Sequence, residues 1–233
     1  MAKAPKKRGV VYMVFNKTRQ LDEVMRRSIQ SVYKHHPELG IHIEEIGQGS
    51  LLDKATMFER SPFEETVFLD LDTVVLGKLD FGFEMALKHH VAMALCEAPL
   101  ARRYMNTFSD DSVEYNTGVI FFTKSEPAAK LFAEWKRLAP ITDSSIKFIA
   151  VDGTIGVMPS NDQGSFAKAV RDTGFNPFVL PMNWNFRPLW QRSVFGPIKI
   201  WHDYSNVPQD VLDFNAAQGP GAVLGFFDVP VVR

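Results

Sequence analysis

The stretch Thr66-Val67-Phe68-Leu69-Asp70-Leu71-Asp72-Thr73-Val74-Val75 constrains the fold more than any other part of the chain. Its apolar run, rich in β-branched and aromatic residues, reads as a buried strand. Two carboxylates one residue apart interrupt it. In an extended chain, residues i and i+2 point to the same side, so Asp70 and Asp72 converge on one object. Carboxylates that close repel each other unless a cation sits between them or one holds a proton. A divalent metal with oxygen ligands is the natural occupant. The plain alternative is a pair of acidic residues that end a strand and face water.

What precedes this stretch places it in a sheet. Val10 to Phe15 reads as a first strand and is followed by a polar turn at Asn16 to Arg19. Met25, Ile29, Val32 and Tyr33 recur at helical spacing up to Gly40. Ile41 to Ile46 is a second strand, closed by Gly47 and Gly49; Ser50 and Asp53 form a capping-box pattern that opens a helix through Phe58. The order β-α-β-α-β predicts an α/β fold, a mostly parallel central sheet flanked by helices. Ligands of open α/β sheets bind beyond the carboxyl ends of the strands, so Asp70 and Asp72 fall at the functional edge.

Beyond it, Val91 to Cys96 and Gly118 to Phe122 read as strands. The polar segment from Ala98 to Glu114, with Arg102, Arg103, Asp110 and Asp111, reads as a long loop of the kind that serves as a lid. Ser125-Glu126-Pro127 starts a helix with Ala128, Leu131, Phe132, Trp135 and Leu138 on one face. Asn161-Asp162-Gln163 opens another, ended by Gly174. Short strands, Pro181, Pro188 and several tryptophans make up the rest. With 233 residues and no linker or repeat, a single domain from residue 10 to 233 is expected, preceded by a basic flexible tail over residues 1–9.

The net charge of −1 gives no drive toward nucleic acid or an anionic membrane. One cysteine, Cys96, allows no intrachain disulfide and suits a reducing compartment. No apolar run is long enough for a signal-peptide core or a membrane span, so a cytoplasmic protein is expected. His35, His36, His42, His89 and His90 read as surface residues. His202 instead ends an apolar strand in Ile198-Lys199-Ile200-Trp201-His202-Asp203, where a histidine is structural or completes an oxygen-plus-imidazole set suited to Mn²⁺.

Taken together, these motifs resemble the GT-A fold nucleotide-sugar glycosyltransferases. The similarity is greatest to family 8, the group of glycogenin and bacterial lipopolysaccharide galactosyltransferases. The carrying residues are Leu69 to Thr73 (Leu-Asp-x-Asp-Thr), Lys54 sixteen residues before Asp70, Tyr115-Asn116-Thr117-Gly118-Val119, Asp162-Gln163 and His202. They follow the family order from about residue 10 to 205.

The resemblance implies a metal-dependent glycosyltransferase that moves a hexose from a nucleoside-diphosphate sugar, a UDP-sugar first of all, to a carbohydrate or glycoconjugate acceptor with retention. It implies Mn²⁺ (or Mg²⁺) on Asp70, Asp72 and His202, with Asp70 also reaching toward the donor ribose. Lys54, Asn116 and Asp162 would contact the donor, Gln163 would lie near the anomeric carbon, and Tyr12 and Asn16 would lie against base and ribose. Asp162 and Gln163 are the catalytic candidates; helix capping is the structural alternative for them, a solvated lysine for Lys54, a turn residue for Asn116. Asn183 to Trp190 would line the acceptor side, with buried core tryptophans as the alternative, and Arg102 and Arg103 would belong to a donor-closing loop or to plain surface. A homo-oligomer is left open.

One departure stands out. The family follows its metal histidine with Gly-x-x-Lys-Pro-Trp, whose lysine neutralises the diphosphate. Here His202 runs into Asp203-Tyr204-Ser205-Asn206-Val207-Pro208, and Lys199, Arg187 or Arg192 are the candidate substitutes. Two other readings compete. Asp70-Leu71-Asp72-Thr73-Val74 fits the opening of haloacid-dehalogenase-type phosphatases, although that motif normally closes the first strand. A non-catalytic sugar-nucleotide-binding module is the other.

Overall fold

The computed structural model describes residues 7–97, 112–143, 145–149, 154–158, 161–218 and 225–226. Residues 1–6 of the basic tail and most of the 98–114 loop, with Arg102, Arg103, Asp110 and Asp111, lie outside the described residues.

Strands β1 (Arg8–Phe15), β2 (Gly40–Ile46), β3 (Glu65–Leu69), β5 (Val91–Leu95), β6 (Tyr115–Thr123) and β9 (Phe178–Leu180) form a six-stranded sheet in the order β2-β1-β3-β6-β5-β9. All run parallel except β6, which is antiparallel to β3 and β5. The expected mostly parallel sheet is present. Successive side chains of β1 show why its sequence is apolar from Val10 to Phe15. Val10, Tyr12 and Val14 face one core cluster, while Val11 and Met13 face the other. A strand covered on both faces needs no polar alternation.

Helices α1 (Arg19–His35) and α3 (Asp80–His89) cover the first face through Met25, Val32, Phe83 and Ala86. The second face is covered by α2 (Met57–Arg60), α4 (Glu126–Leu138) and α5 (Asp162–Thr173). There Phe122, Phe132, Trp135 and Phe166 meet at ring separations of 4.9–5.8 Å, distances at which aromatic pairs attract beyond their buried area. A short 3-10 turn, Leu51–Thr56, leads into α2, and its capping box between Ser50 and Asp53 is formed as the sequence predicts. Gly174 closes α5 in the left-handed conformation at φ 62°.

A smaller layer lies at the carboxyl edge. Strand β4 (Thr73–Val75) leaves the main sheet and pairs antiparallel with β11 (Ile200–His202). Val74, Phe186, Val194, Ile198, Trp201 and Val211 form its core, with the Phe186 and Trp201 rings stacked at 5.6 Å. Hairpin β7–β8 (Ile146–Ile149, Ile155–Met158), pair β10–β12 (Ser193–Val194, Gly225–Phe226) and helix α6 (Gln209–Ala217) complete the described elements.

Some expectations are corrected. His36 is buried, not on the surface: its Nε2 accepts from Leu79 N at 2.8 Å and its Nδ1 pairs with Glu38 at 2.8 Å. Ser125 is the N-cap of α4 by position, but its side chain makes no capping bond. Trp184 packs in the core while Trp190 is half exposed. Helices α3 and α6 go beyond the sequence reading, and neither has a capping side chain; their N-caps are Leu79 and Pro208. Among the described residues, no helix is long and apolar enough to cross a membrane.

Candidate active site

The carboxyl edge of the sheet is where the chemistry collects. β3 stops at Leu69, and Asp70 N donates to Gly118 O of β6 at 2.8 Å. The chain then turns: Thr73 N and Thr73 Oγ1 both donate to Asp70 O, at 3.2 and 2.8 Å. Asp70 and Asp72 therefore converge through a turn rather than through strand alternation, which corrects the expected i, i+2 geometry. The β4–β11 pairing sets His202 opposite Thr73, next to Asp72 in the chain. His202 Nε2 lies 3.3 Å from Asp72 Oδ1 and 3.7 Å from Asp70 Oδ2. One ligand atom from each of the three residues falls within 4.8 Å of the others.

This set fits a divalent cation on its own chemistry. Two carboxylates and an imidazole are a mixed oxygen–nitrogen donor set. His202 Nδ1 lies 2.7 Å from Asn185 Oδ1, an oxygen that only accepts, so Nδ1 carries the proton and donates. Nε2 is thereby the nitrogen that faces the carboxylates, the arrangement that orients metal-ligating histidines. Gly118 makes the approach possible: a Cβ there would collide with the His202 ring and stand 2.8 Å from Asp70 Oδ2.

Lys54 sits at the centre of the charges. Its buried ammonium lies 2.7 Å from Asp70 Oδ1, 3.0 Å from Asp70 Oδ2 and 3.2 Å from Asp162 Oδ2. Burial penalises that ammonium, but Asp162 and Asp70 outweigh the penalty and drive its pKa up. Burial, joined by the charges of Asp72 and Asp162, pushes Asp70 up against the pull of Lys54 and His202. Burial also opposes ionisation of Asp72, yet His202, a backbone N–H and Lys54 hold it below the ordinary carboxylate range. Of the two acidic residues, Asp72 is thus the firmer anion.

Asp162 and Gln163 open α5 over the same edge, and both are buried. Thr117 Oγ1 donates to Asp162 Oδ2 at 2.6 Å. Asn161 caps the helix, accepting from Gln163 N at 2.8 Å. The capping role thus falls to Asn161, and both side chains that follow are turned to other partners. Gln163 Nε2 donates to Glu114 Oε1 at 3.1 Å and lies 3.4 Å from Cys96 Sγ. Asn116 is held by its own strand, its Oδ1 accepting from Gly118 N at 2.9 Å, with Glu97 Oε2 at 3.5 Å from its Nδ2.

A cleft of about 400 Å³ lies at this edge, its lining including Phe15, Asn16, Gly49, Ser50 and Leu51 together with Lys54, Asp70, Asp72 and His202. Asn16 lines it, in a left-handed conformation (φ 50°) with its Nδ2 donating to Gly49 O at 3.0 Å. Tyr12 does not. It is fully buried beneath the sheet edge, with its hydroxyl 2.9 Å from Ser28 Oγ, and burial raises its pKa against the opposing hydrogen bond. None of the candidate substitutes for the diphosphate lysine lines the cleft. Arg187 pairs with Glu97 at 3.2 Å, and Lys199 lies over Gly77 beyond Ile200, the end of β11 away from His202. Among the described residues, Lys54 is the cation that lines it.

The sequence reading gives no individual role at the site edge to Glu97, Glu114 or Thr117, and places Asn185 only within the acceptor-side stretch Asn183 to Trp190. One signal was available for the first three. β5 and β6 run in opposite directions, so the end of β5 and the start of β6 reach the same carboxyl edge. The contact of Asn185 with His202 had no such signal, because it arises through an isolated bridge between Phe186 and Trp201.

The fold is that of the GT-A glycosyltransferases. The chain is similar to the galactosyltransferase LgtC in complex with donor and acceptor sugar analogs (TM-score 0.54, 11% identity, 91% of this chain and 97% of that one). It is also similar to mouse xyloside xylosyltransferase 1 in its apo form (TM-score 0.54, 12% identity, 86% and 98%). A third likeness is to the glycosyltransferase GlyE of Streptococcus pneumoniae TIGR4 (TM-score 0.55, 14% identity), where 86% of this chain covers 55% of that one. No protein-family profile matches the sequence, and no curated protein sequence matches it.

Proposed function

We propose that the protein is a metal-dependent glycosyltransferase that moves a hexose from a nucleoside-diphosphate sugar, a UDP-sugar first of all, to a carbohydrate acceptor with retention. The observation that carries this reading is the juxtaposition of two charge systems at one sheet edge. Asp70, Asp72 and His202 converge as an Asp-Asp-His donor set, and Lys54 bridges it to Asp162 at the start of α5. Asp72, Asp70 and His202 would hold Mn²⁺ or Mg²⁺, which when bound supplies Lewis-acid neutralisation of a leaving diphosphate. Lys54 adds a fixed positive charge at the same place without being reorganised during reaction. Asp162, backed by Thr117, accepts hydrogen bonds from sugar hydroxyls, and Gln163, steadied by Glu114, presents its amide beside the transferred sugar.

Topology also weighs against the phosphatase reading. The phosphatase motif closes the first strand of its fold, whereas Asp70 follows β3, the third strand in chain order and preceded by a full β-α-β unit. Calorimetric titration with UDP tests the transferase reading. Binding should need Mn²⁺ or Mg²⁺, vanish in excess EDTA and fall at least tenfold in Asp72→Asn. UDP binding that is equally tight in EDTA would refute the metal-bridged site. Slow metal-dependent hydrolysis of a UDP-hexose separates an enzyme from a binding module that has lost its chemistry.

A further inference from the structure

The loop that follows His202 carries no lysine, yet an arginine fastens it with unusual completeness. Arg27 Nη2 on α1 donates to Asp203 O at 2.9 Å. Its Nη1 reaches Tyr204 O at 3.0 Å, Ser205 O at 2.9 Å and Asn206 Oδ1 at 3.3 Å. Acceptors from four consecutive residues thus converge on one guanidinium, a fork that a lysine ammonium does not reproduce. From the other side Asp203 N donates to Asp72 O at 2.9 Å. The loop is therefore held between α1 and the Asp70–Asp72 turn. Its one large side chain, Tyr204, lines the cleft while remaining 60% exposed. It joins Phe15, Leu21 and Leu51, which give that cleft an apolar surface next to its charged one.

We propose that Arg27 is a positioning residue of the donor site, fastening residues 203–206 so that the Tyr204 ring forms one wall of the compartment for the nucleobase. This rests on the nucleotide-sugar reading above and deepens it. The loop then contributes an aromatic face to the donor where a cation is absent, and the diphosphate is left to Lys54 and the metal ligands. An exposed ring held by its backbone is well suited to this, since aromatic stacking tolerates any base and a pre-ordered loop lowers the cost of binding.

The test measures binding of two probes, UDP and inorganic pyrophosphate, each with Mn²⁺, to the full chain. Tyr204→Ala is expected to weaken UDP roughly tenfold, the worth of one base–aromatic stack, and to leave pyrophosphate unchanged. Tyr204→Phe should bind UDP like wild type. Arg27→Ala and Arg27→Lys should both reproduce the selective loss, and adding Tyr204→Ala to either should cost little more. In turnover the loss should fall on the donor KM rather than on kcat. Unchanged UDP affinity in Tyr204→Ala, a parallel loss of pyrophosphate, or additive losses in the double variant would each overturn the inference while leaving the transferase reading intact. Wild-type protein that binds no nucleoside diphosphate with Mn²⁺ would overturn both.

Discussion

Gly118 shows how much a single residue decides here. Asp70 and His202 come from distant parts of the chain, and both side chains lie where a Cβ on residue 118 would be. Gly118→Ala is expected to push the two ligands apart. Overpacking of this kind costs about 1–3 kcal/mol, and Mn²⁺ affinity measured by titration should fall at least tenfold. An alanine variant that binds Mn²⁺ like wild type would show that the three ligands do not share one ion. Lys54 makes the complementary case. Removing its charge in Lys54→Met leaves the half-buried Asp70 and the buried Asp162 without the cation between them, a defect worth up to about 3 kcal/mol. A thermal melt should record that loss, and Mn²⁺ should recover part of it by restoring positive charge at Asp70.

At the level of elements, a chain of hydroxyls ties α1 and β1 to the turn after β3. Tyr12 OH lies 2.9 Å from Ser28 Oγ, Ser28 Oγ lies 3.1 Å from Thr73 Oγ1, and Thr73 donates to Asp70 O. Each hydroxyl has one proton, so the last bond sets the direction of the rest: Ser28 donates to Thr73, and Tyr12 donates to Ser28. Ser28→Ala should strand the Tyr12 hydroxyl and cost about 1–3 kcal/mol, while Tyr12→Phe in that background should return part of it. If the two substitutions are additive in denaturant melts, the chain is not a coupled unit.

The same elements show what could be read from the sequence. The strands were legible because β1, β3 and β6 each carry an unbroken apolar run covered on both faces, α1 because Met25, Ile29, Val32 and Tyr33 recur at helical spacing, and α5 because Asn161 opens it as a cap. Lys54, Asp70, Asp72, Asp162, Gln163 and His202 were picked out through the family resemblance, and the structure brings Lys54, Asp70, Asp72, Asp162 and His202 to one sheet edge. The role of Tyr12 was not, since an aromatic residue in a strand gives no sign of which face it takes. Nor was the Arg27 clamp, whose acceptors are mainly backbone carbonyls from the other end of the chain and leave no mark in sequence.

Over the molecule as a whole, the buried carboxylate of Glu65 joins the start of β1 to β3. Arg8 Nη2 lies 2.6 Å and Lys7 Nζ 2.9 Å from its two oxygens. Burial works against that charge, but Lys7 and Arg8 outweigh it and hold Glu65 below its ordinary value of 4.5. A carboxylate with a depressed pKa in the folded state stabilises the protein above its unfolded pKa, and that stabilisation is lost as pH falls through the folded value. Glu65→Gln should therefore be less stable than wild type by about 1–2 kcal/mol at pH 7. The gap should narrow once pH drops below 4.5 and close in stronger acid, as melting curves across pH would show. A constant gap at every pH would mean that shape, not charge, is what residue 65 supplies.

The pairing of β4 with β11 brings position 202 back to position 70 across more than half of the chain. An ion gripped by both ends of that span acts as a removable clasp. It closes a long loop when present and lets it open when withdrawn, so chelation should loosen the carboxyl-edge layer before it disturbs the main sheet. The ligand that the chemistry calls for would thereby also set how firmly the last third of the protein is folded onto the first.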